Sequence, residues 1–336
     1  MRILVTGGAG FIGSHLIERL LSERHGVIVL DNLSTGSLEN LEAVKDHRNL
    51  EIVIGSVRDS ALVQELVERA DAVIHLAAAV GVKTILEKPS LSIHTNVSGT
   101  ENVLHAAALT KKLVIIASTS EVYGKTTKTP FSETDDVLLG STANLRWSYA
   151  VAKMLDECLA LSYSYEKRLN VIVVRLFNTT GPRQTGYYGM VLPNFVNQAL
   201  RGDPITVHGS GDQSRCFAHV FDVVEALTRL LNTPDAIGEV FNIGNDEEIT
   251  IEGLAQRIKQ RAGSGSEIIK KPYGEVYGFG FEDMQRRVPD VSKLEKFIGF
   301  RPRTPLDEII DDVIDEQRAA IESVPISSRL DIEDAA

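Results

Sequence analysis

At 336 residues the chain is long for one core, so one large two-lobed unit or two domains is expected. Its 43% hydrophobic and 24% charged residues are ordinary globular composition, and a formal net charge of −11 argues against a nucleic-acid surface, which needs basic patches. Cys158 and Cys216 are the only cysteines and stand in no metal-type spacing, so neither a metal site nor a disulfide framework is expected, and a reducing cytoplasm is. Met1-Arg2-Ile3-Leu4-Val5 runs straight into a strand, with no signal peptide and no apolar run long enough for a bilayer, so a soluble, cytoplasmic protein without a membrane partner is expected.

Arg2-Ile3-Leu4-Val5-Thr6 is a short apolar run that suits a strand buried on both faces. Gly7-Gly8-Ala9-Gly10-Phe11-Ile12-Gly13 follows, and Ser14 to Leu21 carries helical periodicity. Glycines at 7, 10 and 13 allow a tight turn and close approach of backbone N–H groups to a pyrophosphate. Val27-Ile28-Val29-Leu30-Asp31 reads as the next strand, ending in a carboxylate that can accept from an adenosine ribose and would repel a 2′-phosphate, so NAD is favoured over NADP.

Strands and helices then alternate. Leu50 to Ile54 and Asp71 to His75 are strand candidates, and Ser60 to Arg69 is a helix with Ser60 as its cap. His75-Leu76-Ala77-Ala78-Ala79 closes a strand with small residues that would let a dinucleotide lie close. Ser90 to Leu109 reads as a long helix with Asn96 inside it, a polar residue that either faces solvent or partners the strand end of the site. Leu113-Val114-Ile115-Ile116-Ala117 is another buried strand, and Ser118-Thr119-Ser120-Glu121-Val122-Tyr123-Gly124 leaves its carboxyl end, where ligands sit in open α/β sheets.

Arg146-Trp147-Ser148-Tyr149-Ala150-Val151-Ala152-Lys153 places a phenol and an ammonium four residues apart on one helix face. A tyrosine ionises near pH ~10, and a neighbouring cation favours the phenolate, so Tyr149 is a candidate base for a sugar or alcohol hydroxyl. Alone, such a pair is more often a solvated helix face. Leu169 to Arg175 is a further strand, Phe177 to Arg183 a loop containing Asn178, Tyr188 to about Leu200 leads into a helix, and Pro204 to Gly211 is a strand and turn.

With the glycine loop, His75-Leu76-Ala77-Ala78, Thr119-Ser120-Glu121 and Tyr149 to Lys153 in this order, the chain resembles the extended short-chain dehydrogenase/reductase family, specifically its nucleotide-sugar epimerases, dehydratases and decarboxylases, over roughly residues 1 to 317. The resemblance implies an α/β fold: a Rossmann-type doubly wound parallel sheet on residues 1–175, a smaller mixed substrate lobe mainly in 176–320 with chain returning to the sheet after Asn178, and a polar tail over 323–336. It implies NAD held through turnover by Gly7, Gly10, Phe11, Ile12, Gly13, Asp31, Asn32, Ser34, Thr35 and Gly36, by Leu76, Ala77 and Ala78, and by Tyr149 and Lys153. Lys153 would also lower the Tyr149 pKa. A UDP-sugar would meet Val80, Thr119, Tyr149, Asn178, Val191, Thr206, Val207, Arg215 and Arg287, with Arg215 chiefly on the diphosphate. A homodimer would form through a four-helix bundle of the helices holding Asn96 and Tyr149 to Ser162. Gly55-Ser56 departs from the family's usual Gly-Asp, which puts its adenine contact in doubt.

By the same resemblance Tyr149, Lys153, Thr119, Ser120 and Glu121 would be catalytic, oxidising C4 of the sugar, acting on the ketone and returning the hydride. Ser120-Glu121 lacks the Asp–Glu pair of a dehydratase, and neither cysteine suits net oxidation to an acid. A non-catalytic redox sensor is disfavoured by the presence of both Tyr149 and Lys153. Glu121, Arg287 and Phe279 to Asp290 are similar to uronate decarboxylases. The Arg146 to Tyr149 context and Gln184 to Pro193 are similar to sugar and uronate 4-epimerases. The sequence reading puts the 4-epimerase first and the UDP-glucuronate decarboxylase second.

Overall fold

The computed structural model describes residues 1–81, 87–186, 189–277 and 282–323. Its centre is a seven-stranded parallel sheet. In chain order the strands are β1 (Arg2–Thr6), β2 (Gly26–Asp31), β3 (Leu50–Ile54), β4 (Ala72–His75), β5 (Leu113–Thr119) and β6 (Val171–Leu176), with a seventh, Val240–Ile243, from much later. Their order across the sheet is Val240–Ile243, β6, β5, β4, β1, β2, β3, so the direction of winding reverses beside β1. Ligand crevices form at that reversal, outside the carboxyl ends of the strands.

Alternate side chains of one strand divide between two cores. Ile3, Val5, Val27 and Val29 join Leu16, Ile17 and Leu20 of helix α1 (Phe11–Ser22) on one face. Leu4, Ile28 and Leu30 join the other face. That face is covered by α2 (Ser60–Glu68), α3 (Pro89–Thr110) and α4 (Ser148–Lys167) through Val63, Leu66, Val103, Leu104 and Ala160. Burial on both faces explains the unbroken apolar runs of the central strands. The cap of α2 is Asp59, whose Oδ1 accepts from Leu62 N at 3.1 Å, and not Ser60 as the sequence suggested. A carboxylate one residue earlier does the same work.

A separate core belongs to the second lobe, where Leu192 and Val196 of α5 (Val191–Arg201) pack on Ile205 and Val207, Leu254 and Ile258, and Ile309, Ile310 and Val313. Three small sheets trim this lobe, one of which sets Ser214–Cys216 between Glu248–Thr250 and Arg286–Arg287. A fourth cluster beneath the crevice joins both lobes: Tyr123 stacks on Phe131 at 4.6 Å, with Trp147, Phe177 and Met284 alongside. The tail expected from residue 323 lies, beyond Ser323, outside the described residues. Among those described, no helix is long and apolar enough to cross a membrane.

Asn96 is fully buried in α3, where its Oδ1 accepts from Ala79 N at 2.8 Å and its Nδ2 donates to Ala79 O at 3.3 Å. Ser92 Oγ donates to the same carbonyl at 3.1 Å. The buried amide therefore fixes the small-residue segment after β4. Asn96→Ala is expected to lower unfolding free energy by about 1–3 kcal/mol in urea titrations, because a buried peptide group loses its partner.

Candidate active site

The glycine loop is shaped by contacts too close for any other residue. Gly7 has φ +72° and a Cβ on it would sit 2.8 Å from Ala77 N, while a Cβ on Gly13 would sit 2.2 Å from Gly7 O. The loop thus lies flat between β1, β4 and the start of α1, leaving the first N–H groups of that helix toward the crevice. Asp31 closes the loop from β2: its Oδ2 accepts from Ala9 N at 3.0 Å and its Oδ1 from Leu33 N at 2.8 Å. Each carboxylate oxygen retains a lone pair for a further donor such as a ribose hydroxyl.

This loop borders one elongated cavity of about 740 Å³ running from the glycines to the second lobe. Gly7, Gly10, Phe11, Ile12, Gly13, Asp31, Asn32, Ser34, Thr35, Leu76, Ala77, Ala78 and Val80 line its first part. Thr119, Ser120, Glu121 and Tyr149 line the middle, and Asn178, Val191, Thr206, Arg215 and Arg287 the far end. Three expected residues stand off the wall. Gly36 packs against Ala9, which a Cβ on it would meet at 2.8 Å. Val207 points into the second-lobe core because its strand neighbours Thr206 and His208 take the cavity side. Lys153 is buried and donates to Asp156 Oδ2 at 2.7 Å. Near the expected adenine end, Gly55 and Val57 line the cavity, whereas Ser56 Oγ accepts from Arg58 N at 3.2 Å.

The middle of the cavity is charged. Glu121 takes a two-pronged pair from Arg146, at 2.5 and 3.1 Å, and Arg287 lies 3.7 Å away. Burial alone would raise the Glu121 carboxyl, but Arg146 and Arg287 hold it below the usual carboxylate range. Arg215 donates to Asp283 at 2.7 Å and to Ser214 O at 2.8 Å. Arg287 Nε is buried without a hydrogen-bond acceptor among the described residues, and burial, with Arg215 beside it, brings this guanidinium down to about 10. Asn178 Nδ2 donates to Cys216 O at 2.9 Å, which fixes the amide at the lobe junction.

Thr119 Oγ1 accepts from Glu121 N at 3.2 Å, so its hydrogen remains available to a ligand oxygen. The Tyr149 phenol runs against the sequence expectation. Burial holds it well above the usual tyrosine range, Glu121 and Asp156 push the same way, and Arg146 pulls down. The Lys153 ammonium donates to Asp156 Oδ2 at 2.7 Å. As folded, Tyr149 is a hydrogen-bond donor.

Sequence reasoning missed the partners of the named residues. Arg146 appeared only as context for Tyr149, although the two lie three apart at the start of α4. Asp283 fell inside the stretch Phe279 to Asp290, of which Phe279 to Phe281 lie outside the described residues, as do Tyr187 and Tyr188 of Gln184 to Pro193. Nothing local could have paired Asp283 with Arg215, since the contact spans 68 positions. Arg146→Met is expected to destabilise the fold by about 3–5 kcal/mol in denaturant titrations by stranding the Glu121 charge, and Glu121→Gln added to it should restore part of the loss.

Residues 3–244 match the NAD dependent epimerase/dehydratase family. The chain is 45% identical to the UDP-N-acetyl-alpha-D-glucosaminuronate decarboxylase of Bacillus cytotoxicus, over 93% of this chain and 96% of that protein. It is 36% identical to UDP-glucuronic acid decarboxylase 1 of Xenopus tropicalis, over 96% of this chain and 73% of that one. Among solved structures, UDP-glucose 4-epimerase of Thermotoga maritima with UDP-glucose superposes with a TM-score of 0.86 at 31% identity, covering 96% of this chain and 100% of the other.

Proposed function

We propose, for a chain that belongs to the NAD dependent epimerase/dehydratase family, that it is a UDP-uronate decarboxylase using NAD held in the cavity through turnover. This reverses the order of the two readings taken from sequence. What supports the reversal is likeness: the more similar relatives above carry decarboxylase names, and the less similar structure a 4-epimerase name.

The wall residues suit NAD. The glycine loop leaves room for a pyrophosphate at the start of α1, and Asp31 offers carboxylate lone pairs to a ribose while repelling a 2′-phosphate. Bound NAD supplies the acceptor for the C4 hydride and later returns it, with no net redox change.

The chain's own residues would act on the sugar. Thr119 and Tyr149 would donate to O4, and Tyr149 would take the O4 proton during oxidation and give it back at the end. A 4-ketouronate is a β-keto acid: breaking its C5–C6 bond releases carbon dioxide and leaves the electron pair as an enolate on O4, where two donors stabilise it until C5 takes a proton from water. Arg287, which lines the cavity beside Glu121, would receive the uronate carboxylate. Glu121 beside it would keep that carboxylate from being fully neutralised, favouring its departure. Arg215, at the far end with Thr206, would serve the diphosphate.

The 4-epimerase remains the second reading, carried by the likeness to the Thermotoga structure. Incubation with UDP-glucuronate and its 2-acetamido counterpart, followed by mass spectrometry, separates them: loss of one carbon dioxide is expected, and an isomer of equal mass would overturn the proposal. Tyr149→Phe should abolish turnover while UDP-sugar binding stays nearly intact. Arg287→Met should weaken uronate binding about 10- to 100-fold and leave UDP-glucose binding within a few-fold, as calorimetry would read.

We also infer a homodimer through α3 and α4, which carry the exposed apolar side chains Leu91, Ile93 and Leu109, and Val151, Leu155 and Tyr165. An interface of this kind is what a second copy would cover. Sedimentation at micromolar concentration should give a dimer, and Leu155→Glu should shift it toward monomer.

A further inference from the structure

We infer that Asp156 is a positioning residue for proton transfer at this site, holding the Lys153 ammonium away from the Tyr149 phenol until NAD binds. The inference rests on the NAD site and on Tyr149 as the proton-transferring group. Tyr149, Lys153 and Asp156 follow one another at intervals of four and three along α4, so they share a face of that helix. Lys153 and Asp156 are both buried and joined at 2.7 Å, and Lys153 is absent from the cavity wall that Tyr149 helps to form.

The other groups packed here do not replace either partner. From α3, Thr100 faces Asp156, and its hydroxyl also meets His75 Nε2 at 3.2 Å. His75, on β4, is bonded on its other side to Thr6 Oγ1 at 2.7 Å, and burial brings it down to about 3, so it is a neutral neighbour and no rival cation. Glu157 is taken by Arg175 at 2.8 Å, and Glu121 by Arg146. Asp156 Oδ1 is buried with no hydrogen-bond donor among the described residues, and burial pushes its carboxyl above the usual range although Lys153 pulls it down. A carboxylate so placed depends on its lysine.

The ribose hydroxyls of NAD are acceptors for an ammonium. When Lys153 turns to them, Asp156 is left buried with the Thr100 hydroxyl but no cation, and it takes up a proton from solvent. Both changes favour the Tyr149 phenolate: a cation arrives and a nearby negative charge is neutralised. Cofactor binding and activation of the base thus become one event.

Calorimetric titration of nucleotide-free Tyr149→Phe protein with NAD, in buffers of different ionisation enthalpy at pH 7, tests this without any sugar. A wrong substrate assignment therefore cannot produce its failure. Uptake of about one proton per NAD is expected. None is expected for the Tyr149→Phe, Asp156→Asn double variant. No uptake in the first, or equal uptake in both, would overturn the inference. Should the double variant not fold, an infrared difference spectrum on adding NAD to Tyr149→Phe reads carboxyl protonation directly, and its absence counts against the idea equally.

Discussion

The pairing of Glu121 with Arg146 is the contact on which the site's geometry depends. It joins the loop leaving β5 to the start of α4, and so fixes Thr119 relative to Tyr149. Both partners are largely out of water, where an isolated carboxylate would be costly and an opposed guanidinium offsets much of that cost. The same carboxylate limits how far Arg287, 3.7 Å away, can be committed to anything else. Three arginines and two acids, Glu121 and Asp283, therefore form a wall of interleaved charge in which Arg287 Nε is buried without an acceptor among the described residues. Electrostatic fields in such a wall act on a ligand before any hydrogen bond to it forms.

Much of the sheet was legible because buried parallel strands read as continuous apolar runs. Leu50–Ile54 was located to the residue, and Val171–Leu176 was displaced by one or two positions at its ends, where no pattern marks the boundary. The glycine loop and its acid were legible because the backbone there admits no alternative side chain. Val207 was misplaced for a reason of parity: on a strand, one step along the chain changes faces, and the turn that sets the register carries no apolar signal. The Lys153 contact was not legible because spacing gives shared faces but not which of two neighbours a flexible ammonium chooses. Asp156, three residues on, was as near as Tyr149 and carried the opposite charge.

The choice between two chemistries lay outside the reach of motif and geometry alike. Both reactions begin with a ketone at C4 and draw on the same hydroxyls, so Thr119 and Tyr149 carry no preference. What divides them is the strength with which a carboxylate is held and tilted, and in the proposed reading that resides in the balance between Arg287 and Glu121. Such balances are not written in any local pattern, since the two residues are separated by about half of the chain.

The seventh strand has a further consequence. Val240–Ile243 seals the flank of β6 in register with Val173 to Leu176, yet it follows α5 and the first small strands of the opposite lobe. During synthesis on a ribosome the nucleotide fold therefore keeps an open border until roughly three quarters of the polypeptide has emerged. The second lobe is completed later still, because Leu254, Ile258 and Ile309 to Val313 of its core follow this strand. Recombination that exchanged either lobe for another would have to carry this strand with it.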